Sequence, residues 1–352
     1  MSRSRSITFA CNAETKMEPP SRILFIVVSR IGDTLFSTPA LRSVAHKWPN
    51  AKITVLGHPK RAEVFQNLPY VTELGIITKT SALVKGLWRQ TKFDLAFVYG
   101  FDPSLVSYAL SVSSRVVAFR QSDEALNARL APAVPVPAFQ SEHAVKQLLR
   151  LPQALGINTD QLRIDFSLSA EEVSASRTRL EQHGLANTGP LVGLQVASFP
   201  TKGYRDWPIE RFLGLTERIA DRWPAARFLI FGGKEERDRT SWLATAIGVR
   251  AVDFSGRLTL RETGALMGLI DLYVGVDTGP THIMSSFDTP MVALYHCLSS
   301  SRHTGPLDHP AAWLIDHPDT DGHCSEKSAM DQISIGSVWA AVQEALAGYQ
   351  ER

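Results

Sequence analysis

The chain has 352 residues, of which 44% are hydrophobic and 20% charged, and its formal net charge is +2. That is globular composition with enough length for two domains. The longest apolar run is about six residues, which excludes a helix of the roughly 20 residues needed to span a bilayer. Three widely spaced cysteines, Cys11, Cys297 and Cys324, argue against a disulfide framework and point to a reducing compartment. The small net charge hides an asymmetry: residues 21–170 are basic and residues 171–352 acidic, which is either chance or a first half that meets an anionic partner.

Residues 1–20 begin with basic side chains but lack the run of about 7–15 apolar residues of a signal peptide. They read as a disordered leader, with Met17 as an alternative start. From there short apolar runs alternate with helical patterns. Strands are expected at RILFIVV (22–28), AKITVLGH (51–58), VTELGIIT (71–78), FDLAFVYG (93–100) and SRVVAF (114–119). Helices are expected at 38–48, 61–68 and 81–91. The proline-rich stretch 131–140 cannot be a central strand. An amphipathic helix follows at 142–157, interrupted at Pro152. Residues 163–185 carry a strand, a capping Ser169 and a helix, which places the hinge between domains near 165–190.

The second half restarts the pattern. Strands are expected at 190–198, 226–233, 251–256, 271–277 and 290–296, with helices between them and a final amphipathic helix at 334–350. Strands separated by helices imply parallel sheets with right-handed crossovers, and two such units imply a two-lobed α/β protein. Open parallel sheets bind ligands beyond the carboxyl ends of their strands, so the site is expected in the cleft between lobes. No G-x-G-x-x-G follows the first strand, and no phosphate-loop, zincin or hydrolase-elbow motif is present, which weighs against those enzyme classes.

Four strand ends carry candidate chemistry. After the first strand, Asp33 sits beside Gly32, which lets backbone approach a ligand closely; Asp33 is either a general base or the N-cap of a helix starting near Thr34. Arg30 is either a surface charge or an anion contact. In VGVDTGPTH (274–282) a strand ends at Asp277, and Thr278 and Gly279 open a helix whose free N–H groups suit a phosphate, or are simply capped. His282 on its first turn is a phosphate contact or a partner of Asp277. Ser198, Thr201, Lys202 and Arg205 bring donors and positive charge into one loop, as a diphosphate requires, although a solvated basic loop is the commoner meaning. Gly233 permits close approach, and Glu235 could accept ribose hydroxyls. The late loop HPDTDGHC (317–324) holds possible metal ligands but lies away from a central strand, and reads as a solvated loop near the cleft.

The stretch RILFIVVSRIGDTLFSTPALRSVAHKWPNAKITVL resembles the opening of the family 9 glycosyltransferases, which include the ADP-heptose:lipopolysaccharide heptosyltransferases. DLYVGVDTGPTHIMSSFDTPMVALY resembles their donor-site segment, and EHAVKQLLRLPQALGI and RDWPIERF match intermediate landmarks, so the likeness spans about residues 21–345. The resemblance implies a GT-B fold: two Rossmann-like doubly wound parallel-sheet domains facing a central cleft. It implies an acceptor-binding domain at 21–175, a nucleotide-sugar domain at 176–335, and a terminal helix at 336–352 packing back towards the first domain. It implies inverting transfer of heptose from ADP-heptose to an anionic lipopolysaccharide core acceptor at the inner membrane surface, in the cytoplasm, with no cofactor, metal or nucleic acid. Asp33 falls on the family's base, with Arg30 and Gly32 on the acceptor side. Asp277, Thr278 and Gly279 fall on the donor-phosphate turn, with His282 on its helix. Family members commonly carry lysine two positions before the tryptophan, where this chain has Arg205 before Trp207; arginine still binds diphosphate, and Lys202 shares the role. The alternatives are a transferase or 2-epimerase of the same fold acting on another nucleotide-sugar, and a catalytically idle binding protein.

Overall fold

The computed structural model describes residues 18–85, 91–138, 140–186, 189–198 and 200–349. The expected leader and Met17 start therefore lie almost wholly outside the described residues.

The first lobe holds six parallel strands: β1 (Arg22–Val27), β2 (Lys52–Gly57), β3 (Glu73–Ile76), β4 (Phe93–Tyr99), β5 (Ser113–Phe119) and β6 (Ala133–Val134), ordered β3-β2-β1-β4-β5-β6. The second repeats the plan with β7 (Leu191–Gln195), β8 (Arg227–Phe231), β9 (Ala251–Asp253), β10 (Leu272–Val276), β11 (Met291–Tyr295) and β12 (Ala312–Asp316), ordered β12-β11-β10-β7-β8-β9. Both are the 3-2-1-4-5-6 order of a doubly wound sheet. The central strands β7, β10 and β11 are buried at every position, as parallel strands covered on both faces must be.

Each sheet reverses its winding between its first and fourth strands, β1/β4 and β7/β10. Chain leaving such a switch point opens a crevice at the strand ends. The loops after β1, β7 and β10 are the three that carry Asp33, Arg205 and Asp277. The loop after β8 leaves one strand further out, and it carries Gly233 and Glu235.

Several elements differ from expectation for identifiable reasons. Residues 103–112, for which no element is expected from the sequence, form a helix in which Pro103 occupies the first turn and the Asp102 side chain accepts from Ser104 N. The helix Ala144–Gln153 contains Pro152 and ends one residue later. Residues 163–168 form no strand: Asp165 N–H donates to Thr38 Oγ1 (2.8 Å) instead of to a ladder, because this extended segment lies in the seam between lobes. Asp165 bonds Tyr70 of the first lobe (2.6 Å), while neighbouring Phe166 packs under Arg261 of the second (4.4 Å). The helix Ala170–Gln182, closed by the Ser169/Glu172 capping box, packs on the helix Leu260–Met267. A division at residue 175 would cut that helix, so the crossing lies before it. The terminal helix Ile335–Ala345 also differs: it packs on the helix Ile209–Arg222 and on β11 and β12, burying Val338 and Val342 in the second lobe's own core. Trp207 is the largest buried side chain there, and its Nε1–H donates to Ile333 O (2.9 Å).

The lobes meet through apolar contact as well as bonds. One core cluster runs from β1 of the first lobe to Ile283, Met284 and Tyr295 of the second. Among the described residues no helix is long and apolar enough to cross a membrane.

Candidate active site

The helix Ile31–Phe36 follows β1 directly, and its N-cap is Arg30, which makes no side-chain cap bond. Asp33 is therefore not the cap. It stands at the third helical position with its side chain open to the cleft. Crowding by protein atoms raises its carboxyl above the ordinary value of 3.8; His282, Arg30, the Arg30 backbone N–H and Arg61 oppose the shift without cancelling it. An aspartate that holds its proton more tightly is a better base when ionised.

Gly32 lines the cavity and also packs closely against the opposite lobe. A Cβ there would lie 2.7 Å from His282 Cδ2, and one on Gly279 would lie 3.0 Å from Ile31 Cβ. The two glycines let the lobes approach each other, and both also line the cavity between them. Phe36 fills the same seam, with its ring edge-on to His282 at 4.7 Å and to His143 at 5.9 Å.

Across the cleft, Asp277 is 4% exposed, with Oδ2 hydrogen-bonded and Oδ1 without a hydrogen bond among the described residues. Its Oδ2 accepts from Ser299 Oγ (2.5 Å) and Arg205 Nη1 (3.2 Å), and its Oδ1 lies 3.4 Å from His282 Nε2. A carboxylate facing phosphate would repel it. Asp277 instead organises the cations and donors around it. Burial lowers the His282 pKa below 6.5 against the pull of Asp277 and Asp33, which keeps the ring neutral. Thr278 caps the helix Gly279–Met284 by position, with no side-chain cap bond; its hydroxyl lies 3.3 Å from Thr281 Oγ1.

The loop after β7 is knitted before it reaches the cleft. Ser198 N donates to Asp206 Oδ1 (2.6 Å) and Ser198 Oγ to Lys202 O (2.7 Å). Arg239 pins Asp206 from outside (2.5 Å), and Tyr204 lies beneath the charges of both Lys202 and Arg205. These contacts hold Lys202 and Arg205 towards the cleft.

A cavity of about 410 Å³ lies between the lobes. Of the residues expected from sequence, Arg30, Gly32, Asp33, Lys202, Arg205, Asp277, Thr278, Gly279 and His282 all line it. Ser198, Thr201, Gly233 and Glu235 do not. Ser198 is spent on shaping its loop, and Thr201 is exposed. Gly233 and Glu235 follow β8, away from the switch point. Sequence reasoning missed Gln140, Glu142, Gln147, Ser299 and His303, which complete the walls. Only Ser299 carried a legible signal, since it follows β11, the neighbour of a switch-point strand.

The expectation of unpaired cysteines is overturned. Cys297 and Cys324 form a disulfide, with Cα atoms 5.7 Å apart. The 317–324 loop is largely solvent-facing as expected, but His317 is buried and donates through Nε2 to Ala329 O (3.0 Å). His296 and both cysteine sulfurs have their ligand-type atoms within 4.8 Å of one another, but the sulfurs are bonded together.

The family model for glycosyltransferase family 9 (heptosyltransferase) matches residues 101–332. The chain is 20% identical over 294 residues to the lipopolysaccharide core heptosyltransferase OpsX of Haemophilus influenzae, covering 79% of this chain and 80% of that one. Its structure is similar to that of a family 9 glycosyl transferase from Veillonella parvula, with 18% identity, coverage of 93% and 97%, and a TM-score of 0.80. It is likewise similar to the ADP-heptose lipopolysaccharide heptosyltransferase II of E. coli, with 18% identity, coverage of 93% and 99%, and a TM-score of 0.76. These structural likenesses show the GT-B fold. With the family model spanning more than half of its length, this chain belongs to glycosyltransferase family 9 and is a glycosyltransferase.

Proposed function

We propose that this enzyme moves a heptose from ADP-heptose to a lipopolysaccharide core acceptor, inverting the anomeric carbon in one displacement without a metal ion. The donor and acceptor classes are those printed for its relatives in Haemophilus influenzae and E. coli. The observation that carries the mechanism is the distribution of carboxylates around the cavity. Glu142 is ion-paired with Arg150 (2.5 Å) and Asp277 is bound to Ser299 and Arg205, which leaves Asp33 to work on the substrate.

A retaining double displacement would need a second working carboxylate as nucleophile, whereas direct displacement needs one base. Asp33 accepts the proton of the acceptor hydroxyl as its oxygen attacks the anomeric carbon. The bond to the diphosphate breaks, and negative charge gathers on the leaving ADP. Arg205 and Lys202, from the opposite lobe, lie where that charge develops and supply the stabilisation a metal otherwise provides. The cavity volume is in the range of small-molecule sites, about 300–1,000 Å³. The basic first lobe suits a phosphate- and carboxylate-rich acceptor, and salt-sensitive contact with the inner face of the membrane follows from the same charge.

The test is transfer by Asp33→Asn with ADP-heptose and purified core acceptor, alongside EDTA-treated wild type. Turnover is expected to fall by about 10²–10⁴ in the variant and to survive chelation. Near-wild-type transfer by the variant contradicts the base assignment, and loss on chelation contradicts metal independence. Transfer from UDP-sugars but not from ADP-heptose contradicts the donor.

A further inference from the structure

The helical turn Cys297–Ser299 follows β11 and joins three parts of the molecule within three residues. Cys297 is bonded to Cys324 of the 317–324 loop. Leu298 O accepts from Gln140 Nε2 of the first lobe (2.8 Å). Ser299 Oγ donates to Asp277 Oδ2, the same oxygen that holds Arg205. All three of Leu298, Ser299 and Gln140 line the cavity. The turn is fixed on its far side by His296, whose Nδ1 accepts from Leu298 N (3.1 Å) and whose Nε2 donates to Ser328 O (2.9 Å).

We propose that Ser299 is a positioning residue, acting through Asp277 on Arg205, and that the Cys297–Cys324 bond is a thiol-sensitive latch that holds it in place. The donor half of this inference rests on the nucleotide-sugar reading above. A dithiol reductant opens the latch by giving up two electrons and two protons: the S–S bond breaks, Cys297 and Cys324 become thiols, and the reductant becomes a disulfide. The turn then loses its covalent tie to the 317–324 loop. Ser299 leaves Asp277 Oδ2, and Arg205 is held by a carboxylate that has lost its second partner. Hydrogen bonds to a charged group are the stronger kind, so the loss is felt at the cation that faces the donor diphosphate.

The experiment uses the whole chain, oxidised and dithiothreitol-reduced, with two readouts. Hydrogen–deuterium exchange without ligand reads the latch: reduction is expected to raise exchange in residues 277–284 and 297–305 while β8 is unchanged. ADP binding reads its consequence: Kd is expected to rise roughly tenfold on reduction, and by a similar factor in oxidised Ser299→Ala, with Ser299→Thr restoring affinity. Reduced Ser299→Ala is expected to bind ADP no worse than oxidised Ser299→Ala, because the latch acts through that hydroxyl. Exchange unaffected by reduction overturns the latch whatever ADP does. Unchanged ADP affinity in Ser299→Ala overturns the positioning role. Stoichiometric Zn²⁺ uptake by the reduced protein that restores ADP affinity makes the cysteines a metal site and overturns the latch. Failure of the oxidised wild type to bind ADP, with exchange still reduction-sensitive, counts against the donor reading and the positioning role but not against the latch.

Discussion

Two aspartates leave two strands at two equivalent switch points, Asp33 after β1 and Asp277 after β10, yet their surroundings differ. Asp277 is buried and bound by Ser299 and Arg205, with His282 3.4 Å away. Asp33 opens into the cavity, where crowding outweighs the charges that would hold it ionised. The difference teaches that strand-end position selects where a carboxylate stands, while its partners decide what it can do. A carboxylate committed to a serine and an arginine holds its neighbours in place; one left to the cavity is open to substrate, as the proposed base must be.

The comparison breaks most visibly by removing the committed partner. Asp277→Ala leaves Arg205 without its buried counter-ion and is expected to cost about 3–5 kcal/mol of stability, read by chemical denaturation. Asp33→Asn is expected to cost none, or to stabilise slightly, because ionising a carboxyl whose pKa folding has raised works against the folded state at neutral pH.

Acid probes the seam between the two sites. His143 donates through Nε2 to Gly305 O (2.8 Å) and accepts through Nδ1 from Val145 N (3.2 Å), so both ring nitrogens are used by the neutral tautomer. Burial, first, holds its pKa down to about 4 and lowers that of His282. Folded values below the unfolded 6.5 mean that this stability is complete above pH 6.5 and is lost as pH falls towards 4. For His143 the loss is expected to reach up to roughly 3 kcal/mol at pH 4, and His143→Gln removes that part of the pH dependence.

Smaller effects sharpen the assignment. Arg205→Lys keeps the charge but loses the planar fork, and is expected to lower kcat and kcat/KM about tenfold, because the charge it stabilises develops in the transition state. Glu142→Gln alters a cavity carboxylate already paired with Arg150, and is expected to leave turnover within about threefold of wild type. A large fall in turnover there would mean that Glu142, not Asp33, carries the proton.

Much of this was legible in the sequence. Strand runs such as RILFIVV and DLYVGVD are apolar because both faces are covered, and their ends located Asp33 and Asp277 without any contact information. Their roles were not legible, because they depend on partners from 22 and 72 residues away, Ser299 and Arg205. The β8 loop lies outside the cavity lining because strand order is a tertiary fact: β8 sits one strand beyond the switch point, which the sequence does not reveal. β12 escaped notice because it is an edge strand with a half-exposed pattern. The Cys297–Cys324 pair escaped because an odd count is uninformative when Cys11 lies in the leader. The terminal helix went to the second lobe because Val338 and Val342 face a core that sequence alone could not assign.

The central claim is that Asp33 is the proton acceptor, and the pH dependence of kcat/KM for transfer tests it most directly. Wild type is predicted to show an acid limb with its midpoint above the ordinary aspartate value of 3.8, and Asp33→Asn a low residual rate from which that limb has vanished. The same acid limb in Asp33→Asn, at a rate close to wild type, would contradict the account.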